Sequence, residues 1–320
     1  MSLTPEEQRL WQIFHPYAAG RQTVALSQRT RFVHYTSADA AMKIIRNQEV
    51  WMRKSTCMND FMEVEHGLRC LINAVAQSEF GKRFNLALDQ IFQGFSAELE
   101  KFFVRYIPLI RTDTYITCLS EHLDDEDTLG RLSMWRAYGE TTGVALVMNS
   151  SPLLTPSDAL NAWTTPVAYL SDQEFGNEFG HIADNIENEA GFIKTQDREL
   201  IKNYIFKMFW FAAISTKHPG FKEYKEWRVV HCPSIYPSNH LVKDIQPVQG
   251  VPQPIYKIRL EDIPDQGLTG INIPALVNRI IIGPTKYPLA MGEAFIDLLK
   301  EAGVQNLSGK VWRSEIPLRR

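Results

Sequence analysis

The sequence predicts an α+β fold, a small mixed β-sheet carrying large helical insertions. Three observations lead there. Short strand-like runs are scattered along the chain, long stretches of helical periodicity separate them, and strict βαβ alternation is missing. Composition agrees: 320 residues, 44% hydrophobic and 22% charged, suffice for a single core without disulfides or metals. Residues 1–320 read as one domain. Its softest boundary candidates are 151–157 and 234–250, rich in Ser, Pro and polar residues.

Taken in order, Thr4-Pro5-Glu6-Glu7 supplies a capping threonine, a proline at the first helical position and a glutamate at the third. A helix therefore opens the chain, with Trp11 and Phe14 on one side. Residues 31–36 (RFVHYT) favour a strand, and Ser37 caps a helix over 38–47 whose face carries Ala41, Ile44 and Ile45. Residues 49–53 alternate as a second strand, Val50 and Met52 against Trp51. The loop STCMND leads into a helix from about Phe61, and residues 61–108 read as all-helical, with Leu68, Leu71, Ile72 and Val75, then Phe84, Leu88, Ile91 and Phe95 at helical spacing. A strand over 113–120 follows, then an acidic loop, a helix carrying Met134, Trp135 and Tyr138, and a central strand over 143–148 (GVALVM). A second helical stretch runs from about 172 to 217, broken near Gly191. Its end, with Ile205, Met208, Phe209 and Phe211, is apolar on several faces, as in a deeply packed core helix. Strands over 226–232, 255–260 and 279–282 lead to a helix from about Pro288 that stops at Gly303, and 310–314 closes a sheet edge.

Charge excludes some partners. Thirty-four basic against thirty-seven acidic side chains leave −3, so no bulk charge recruits nucleic acid or an anionic membrane, although a local basic cleft stays open. The start, MSLTPEEQRLWQIF, lacks the basic and apolar regions of a signal peptide. The most apolar segment, 208–214, is far short of the ~20 residues that cross a bilayer. Cys57, Cys70, Cys118 and Cys232 lie far apart, with no C-x-x-C and no His-x-x-x-His nearby. No metal site is expected, and a reducing, cytoplasmic setting is. The phosphate-binding G-x-x-x-x-G-K-[ST], the dinucleotide G-x-G-x-x-G, the G-x-S-x-G elbow and the zinc H-E-x-x-H are all missing, which removes the enzyme classes built on them.

Four clusters carry chemistry. His34-Tyr35-Thr36 ends the first strand, where alternation sends Phe32 and His34 to one face and Val33 and Tyr35 to the other. A histidine there either bonds a ribose or phosphate from a cleft floor or is satisfied by backbone groups. In Asn59-Asp60-Phe61-Met62-Glu63, Asn59 or Asp60 caps a helix with Glu63 in its first turn; metal binding by Asp60 and Glu63 is the sharper alternative. Ser120 closes Cys118-Leu119-Ser120-Glu121, and beyond the acidic loop Trp135 and Tyr138 share a helix face. Aromatics so spaced are core, or else present a flat ring to a base or nicotinamide. In Phe221 through Arg228, a strand puts Glu226 and Arg228 on one face and Trp227 and Val229 on the other.

In this order the clusters resemble the bacterial family called domain of unknown function 2971. The resemblance rests on His34-Tyr35-Thr36-Ser37, Trp51, Asn59-Asp60 with Glu63, Cys118 through Glu121, Met134-Trp135 with Tyr138 and Gly143, and Lys222 through Arg228. Ile281-Ile282-Gly283 looks like the closing strand, and the likeness spans about residues 31–285. The family name implies no activity. A second likeness, to ADP-ribosyltransferase-like folds, implies a histidine on an early strand, an aromatic against nicotinamide and a glutamate on a later strand. His34 and Glu226 take the first and last roles, with Tyr138, Trp135 or Tyr115 as the aromatic. The scheme needs no metal or tightly bound cofactor, and NAD is the substrate. Glu226 would stabilise charge developing on the ribose, His34 would anchor the adenosine ribose, and Arg228 or Arg53 would neutralise the diphosphate. The expectation is one cleft bounded by His34, Asn59, Ser120, Trp135 and Glu226. It serves an NAD-using transferase in defence or toxicity or, alternatively, a non-catalytic module for a nucleotide-like or other anionic ligand.

Overall fold

Strand-forming sequence is dispersed along the chain, and the fold gathers it into one sheet. The computed structural model describes residues 3–58, 64–139, 141–248 and 250–318. Its strands are β1 (Arg31–Ser37), β2 (Glu49–Lys54), β3 (Tyr115–His122), β4 (Gly143–Met148), β5 (Trp163–Pro166), β6 (Ala168–Tyr169), β7 (Thr216–Lys217), β8 (Glu226–His231), β9 (Leu241–Val248), β10 (Val251–Arg259), β11 (Val277–Ile282) and β12 (Val311–Arg313). The main sheet runs β12-β11-β4-β1-β3-β2-β10-β9, with β8 pairing β3 and β5 beyond it, while β6 and β7 form a separate parallel pair. Only β11 and β12 run parallel within the main sheet as described; the other pairs are antiparallel. The α+β fold expected from the sequence is thus observed.

The local signals explain most elements. Thr4 and Glu7 form a capping box on the helix Pro5–Phe14, and the Ser37 side chain caps Ala38–Asn47. The second helical stretch divides around Gly191 into Asp172–Asn188, Ala190–Ile193 and Arg198–Ile214. The last of these is buried on most sides, as its apolar sequence requires. The helix expected from about Phe61 is seen as Glu65–Gln77, and residues 59–63, with the Asn59 and Asp60 caps, lie outside the described residues. Two elements carry weaker signals: the helix Pro16–Ser27 and strand β9. β9 falls in the polar stretch that resembled a linker, because most of its side chains are exposed and only Leu241 is buried. It is the outermost strand at one end of the sheet, hydrogen-bonded to β10 alone among the described residues.

On one side β3 is paired along 115–120 by β8. On the other side β1 pairs it only at 120–122 and β2 only at 115–116. The sheet therefore splits at 117–119, where β1 and β2 diverge and strand bonding is lost on that side.

Each face has its own core. Phe32, Leu119, Leu146, Trp227 and Val229 look toward one side, under helices Ala38–Asn47 and Pro288–Glu301. Ile116 and Val230 look to the other, against the helices between Glu65 and Ile214. Farther along this second face Val33, Tyr35, Ala145, Val147 and Ile281 pack on Trp135. In the helical layer, Gly67 lets the helices Glu65–Gln77 and Arg198–Ile214 nearly touch: a Cβ there would stand 2.2 Å from the Ala213 carbonyl oxygen.

Candidate functional site

The register decides which candidate side chains meet. Val33 pairs with Ser120, and Ser120 with Glu226, so these three share a face. His34, next to Val33, takes the opposite face with Phe32, whose ring lies 5.1 Å from that of Trp227. His34 and Glu226 therefore lie on opposite sides of the sheet. The expected single cleft bounded by His34, Ser120, Trp135 and Glu226 is corrected: alternation along two regular, paired strands separates its two principal residues. Asn59, the remaining member, lies outside the described residues.

On the second face Glu226 and Arg228 stand side by side, as strand alternation predicted, but both are buried rather than lining an open cleft. Arg228 Nε donates to Glu226 Oε1 at 2.8 Å, and Lys217 Nζ donates to Glu226 Oε2 at 2.7 Å. The Arg228 guanidinium also donates to the Ile214 carbonyl at the end of the core helix. The Glu226 amide donates to the Tyr169 hydroxyl at 2.8 Å. Burial alone would raise the Glu226 carboxyl, but the charges of Arg228 and Lys217 outweigh it and hold it well below the usual carboxylate range. Both carboxylate oxygens are engaged by cations of the protein itself. Ser120 is buried beside this group. Trp135 is fully buried, its ring edge-on to Tyr35 at 4.9 Å and its Nε1 donating to the Leu129 carbonyl at 2.8 Å. Tyr138 packs at the margin of the same cluster, its ring 6.3 Å from Tyr224. The structure thus brings Glu226, Arg228 and Ser120 together, and Trp135 with Tyr138, and leaves His34 apart.

His34 fills the split in the sheet. Its Nδ1 lies 3.0 Å from the Cys118 carbonyl oxygen, on the stretch of β3 where β1 and β2 have parted. That carbonyl only accepts, so Nδ1 carries the proton and Nε2 keeps its lone pair. Burial lowers the His34 pKa, the Cys118 bond offsetting only part of that, so the ring is neutral. The backbone-satisfied role holds for one nitrogen of this histidine.

Around His34 opens a cavity of about 900 Å³. Its floor is the first sheet face, including Leu119, Leu146 and Val229, and the segment 152–164 and the helix Arg198–Ile214 contribute walls. Lys207 of that helix reaches it. The ammonium stands 4.6 Å from the Trp163 ring centre and 5.4 Å from that of Tyr236. Burial pulls the Lys207 pKa down, and the charge of Asp158 opposes this, with no ion pair to Lys207 among the described residues. The sequence reading missed this lysine as a candidate, although it directly precedes the apolar run 208–214.

Other buried histidines give the fold a pH signature. Burial, with the nearby Lys207 charge, pulls His15 from 6.5 down to about 3. Its Nε2 has no hydrogen-bond partner among the described residues, and its ring stacks on Trp11 at 4.0 Å. Between those values the unfolded chain binds more protons than the folded one, so this contribution is fully present above about 6.5 and is lost as pH falls toward 3. The melting temperature is expected to drop between pH 7.5 and pH 5, with a smaller drop in His15→Phe, which keeps the stack. An equal drop in both proteins would assign the effect elsewhere.

Residues 134–229 match the model of a family described as a protein of unknown function (DUF2971). The matched segment contains the Met134-Trp135, Tyr138, Gly143 and Lys222 to Arg228 motifs, bearing out the resemblance there; the earlier motifs, from His34 to Glu121, precede it. No curated protein and no solved structure matches the chain. No helix among the described residues is long and apolar enough to cross a membrane.

Proposed function

We propose that this chain is a binding module for an amphipathic organic anion, nucleotide-like molecules included, and that the cavity beside His34 is its receptor. Lys207 carries the reading: a cation in a largely apolar cavity, beside two aromatic rings, with Asp158 acting on it by charge but forming no ion pair with it among the described residues. A cavity of about 900 Å³ falls within the roughly 300–1,000 Å³ of small-molecule sites, and apolar walls with few polar groups are their usual lining. In this reading an anionic group seats on Lys207, the apolar body lies on Leu146 and Val229, and His34 Nε2 accepts a hydrogen bond from a ligand hydroxyl or amide. Few and widely spaced cysteines favour a reducing, cytoplasmic setting for it. ADP-ribosyl transfer from NAD lacks comparable support, because Glu226 is occupied by Arg228 and Lys217 and faces away from His34.

The test is calorimetric and fluorescence titration of the folded protein with anilinonaphthalene sulfonate, and separately with NAD. One molecule of at least one probe is expected to bind. Lys207→Met is expected to weaken that binding by about 10–100-fold, the scale of a charge-assisted bond of about 1.5–3 kcal/mol. Leu146→Trp, which fills the floor, is expected to abolish it. Binding indifferent to both substitutions would place the ligand elsewhere and defeat the proposal.

A further inference from the structure

We propose that His66, Cys70 and Asp172 form a site for one divalent ion of the zinc class, at the junction of the helices Glu65–Gln77 and Asp172–Asn188. This site is separate from the cavity beside His34 and stands or falls independently of it. His66 and Cys70 are four residues apart and share a helix face, and Asp172 opens the second helix. Their ligand atoms all lie within 4.8 Å of one another. Cys70 Sγ stands 3.7 Å from His66 Nε2. Two ligands on a tetrahedral zinc, at ~2.3 Å for sulfur and ~2.0 Å for nitrogen, lie about 3.6 Å apart. Cys70 Sγ also stands 2.9 Å from Asp172 Oδ1. At that distance the neutral thiol donates to the carboxylate, and on binding one ion the two would part slightly to the spacing of adjacent ligands.

Without the ion, protons satisfy the group. The Cys70 thiol donates to Asp172, His66 Nε2 donates to the Leu170 carbonyl at 2.9 Å, and His66 Nδ1 accepts from Arg69 at 3.0 Å. Loading balances simply. The thiol proton leaves to solvent, the imidazole proton moves from Nε2 to Nδ1, and Sγ, Nε2 and a carboxylate oxygen bind the ion. Arg69, half-exposed, swings off Nδ1 toward solvent. Water or the Leu170 carbonyl supplies the fourth donor. Entry is from the Asp172 side, where that side chain is 47% exposed. Mixed sulfur, nitrogen and oxygen donors suit zinc and cobalt rather than magnesium or calcium. The spacing of the cysteines argued against a metal only because the ligands come from a helical turn and a residue 102 positions away.

The experiment is titration of the metal-free, reduced full chain with cobalt(II), followed by absorption, with proton release measured in weak buffer. One equivalent is expected to produce a thiolate-to-cobalt charge-transfer band, release about one proton and be displaced by zinc(II). Cys70→Ser is expected to lose the band. Asp172→Asn, at a half-exposed position that tolerates the change, is expected to weaken cobalt binding at least ~10-fold. Circular dichroism checks that both variants fold. No band in the folded parent, or a band that survives Cys70→Ser, overturns the site.

Discussion

Glu226→Gln is expected to destabilise the protein by about 3–5 kcal/mol, the usual consequence of removing one member of a buried ion pair. The substitution keeps the side chain's size and removes only its charge, the charge to which Arg228 and Lys217 both donate. Arg228 has no solvent exposure to fall back on. Glu79→Gln is the control: its pair with Lys82 is exposed, and such pairs are worth about 0–1 kcal/mol. Denaturant midpoints at pH 7.5 report both. A Glu226→Gln protein as stable as the parent would remove Glu226 from the framework and reopen a role in ligand chemistry.

Trp135→Ala is the second large effect, expected at about 3–5 kcal/mol, the range for truncating a buried aromatic. The indole sits in a cradle shaped by missing side chains. A Cβ at Gly130 would come within 2.6 Å of the ring, and one at Gly283 within 2.8 Å. Gly130 also needs its glycine for a backbone φ of +68°, which L side chains rarely adopt. Trp135→Phe is expected to recover part of the loss and to leave anion binding unchanged, because the ring touches the sheet on the Glu226 face and not the cavity beside His34. Thermal melts with probe titration check both points. Altered affinity in folded Trp135→Phe would return this ring to the site.

The contrast between these residues and His34 shows what the sequence could convey. Caps at Thr4 and Ser37 are local, and so is the alternation that placed Glu226 with Arg228 and Trp227 with Val229. Each was legible because neighbours in sequence decide it. Whether His34 meets Glu226 depends instead on the pairing of Val33 with Ser120 and of Ser120 with Glu226, a parity set through three strands. One added residue of register would have reversed the answer. Ionic occupancy was equally hidden: that Lys217 reaches Glu226 depends on where the core helix ends. The cavity lies where β1 and β2 part, and its lysine comes from a helix that periodicity alone assigned to the interior. Strand β9 escaped notice because an edge strand needs little apolar sequence to form once β10 offers a ladder.

That outermost strand has a bearing on how the molecule behaves at high concentration. An unpaired strand edge is a template on which another chain can add, and Ile245 and Val251 leave the hairpin with 69% and 58% exposure. The sequence of β9 works against such addition. Pro247 lacks an amide donor, and Lys243 and Asp244 would have to crowd any incoming strand with charge. Asp244 is further committed to Lys257 of β10 at 2.9 Å, which ties the hairpin to itself. The polar composition that makes this stretch resemble a linker is thus also what keeps an open-edged sheet from growing into a fibre.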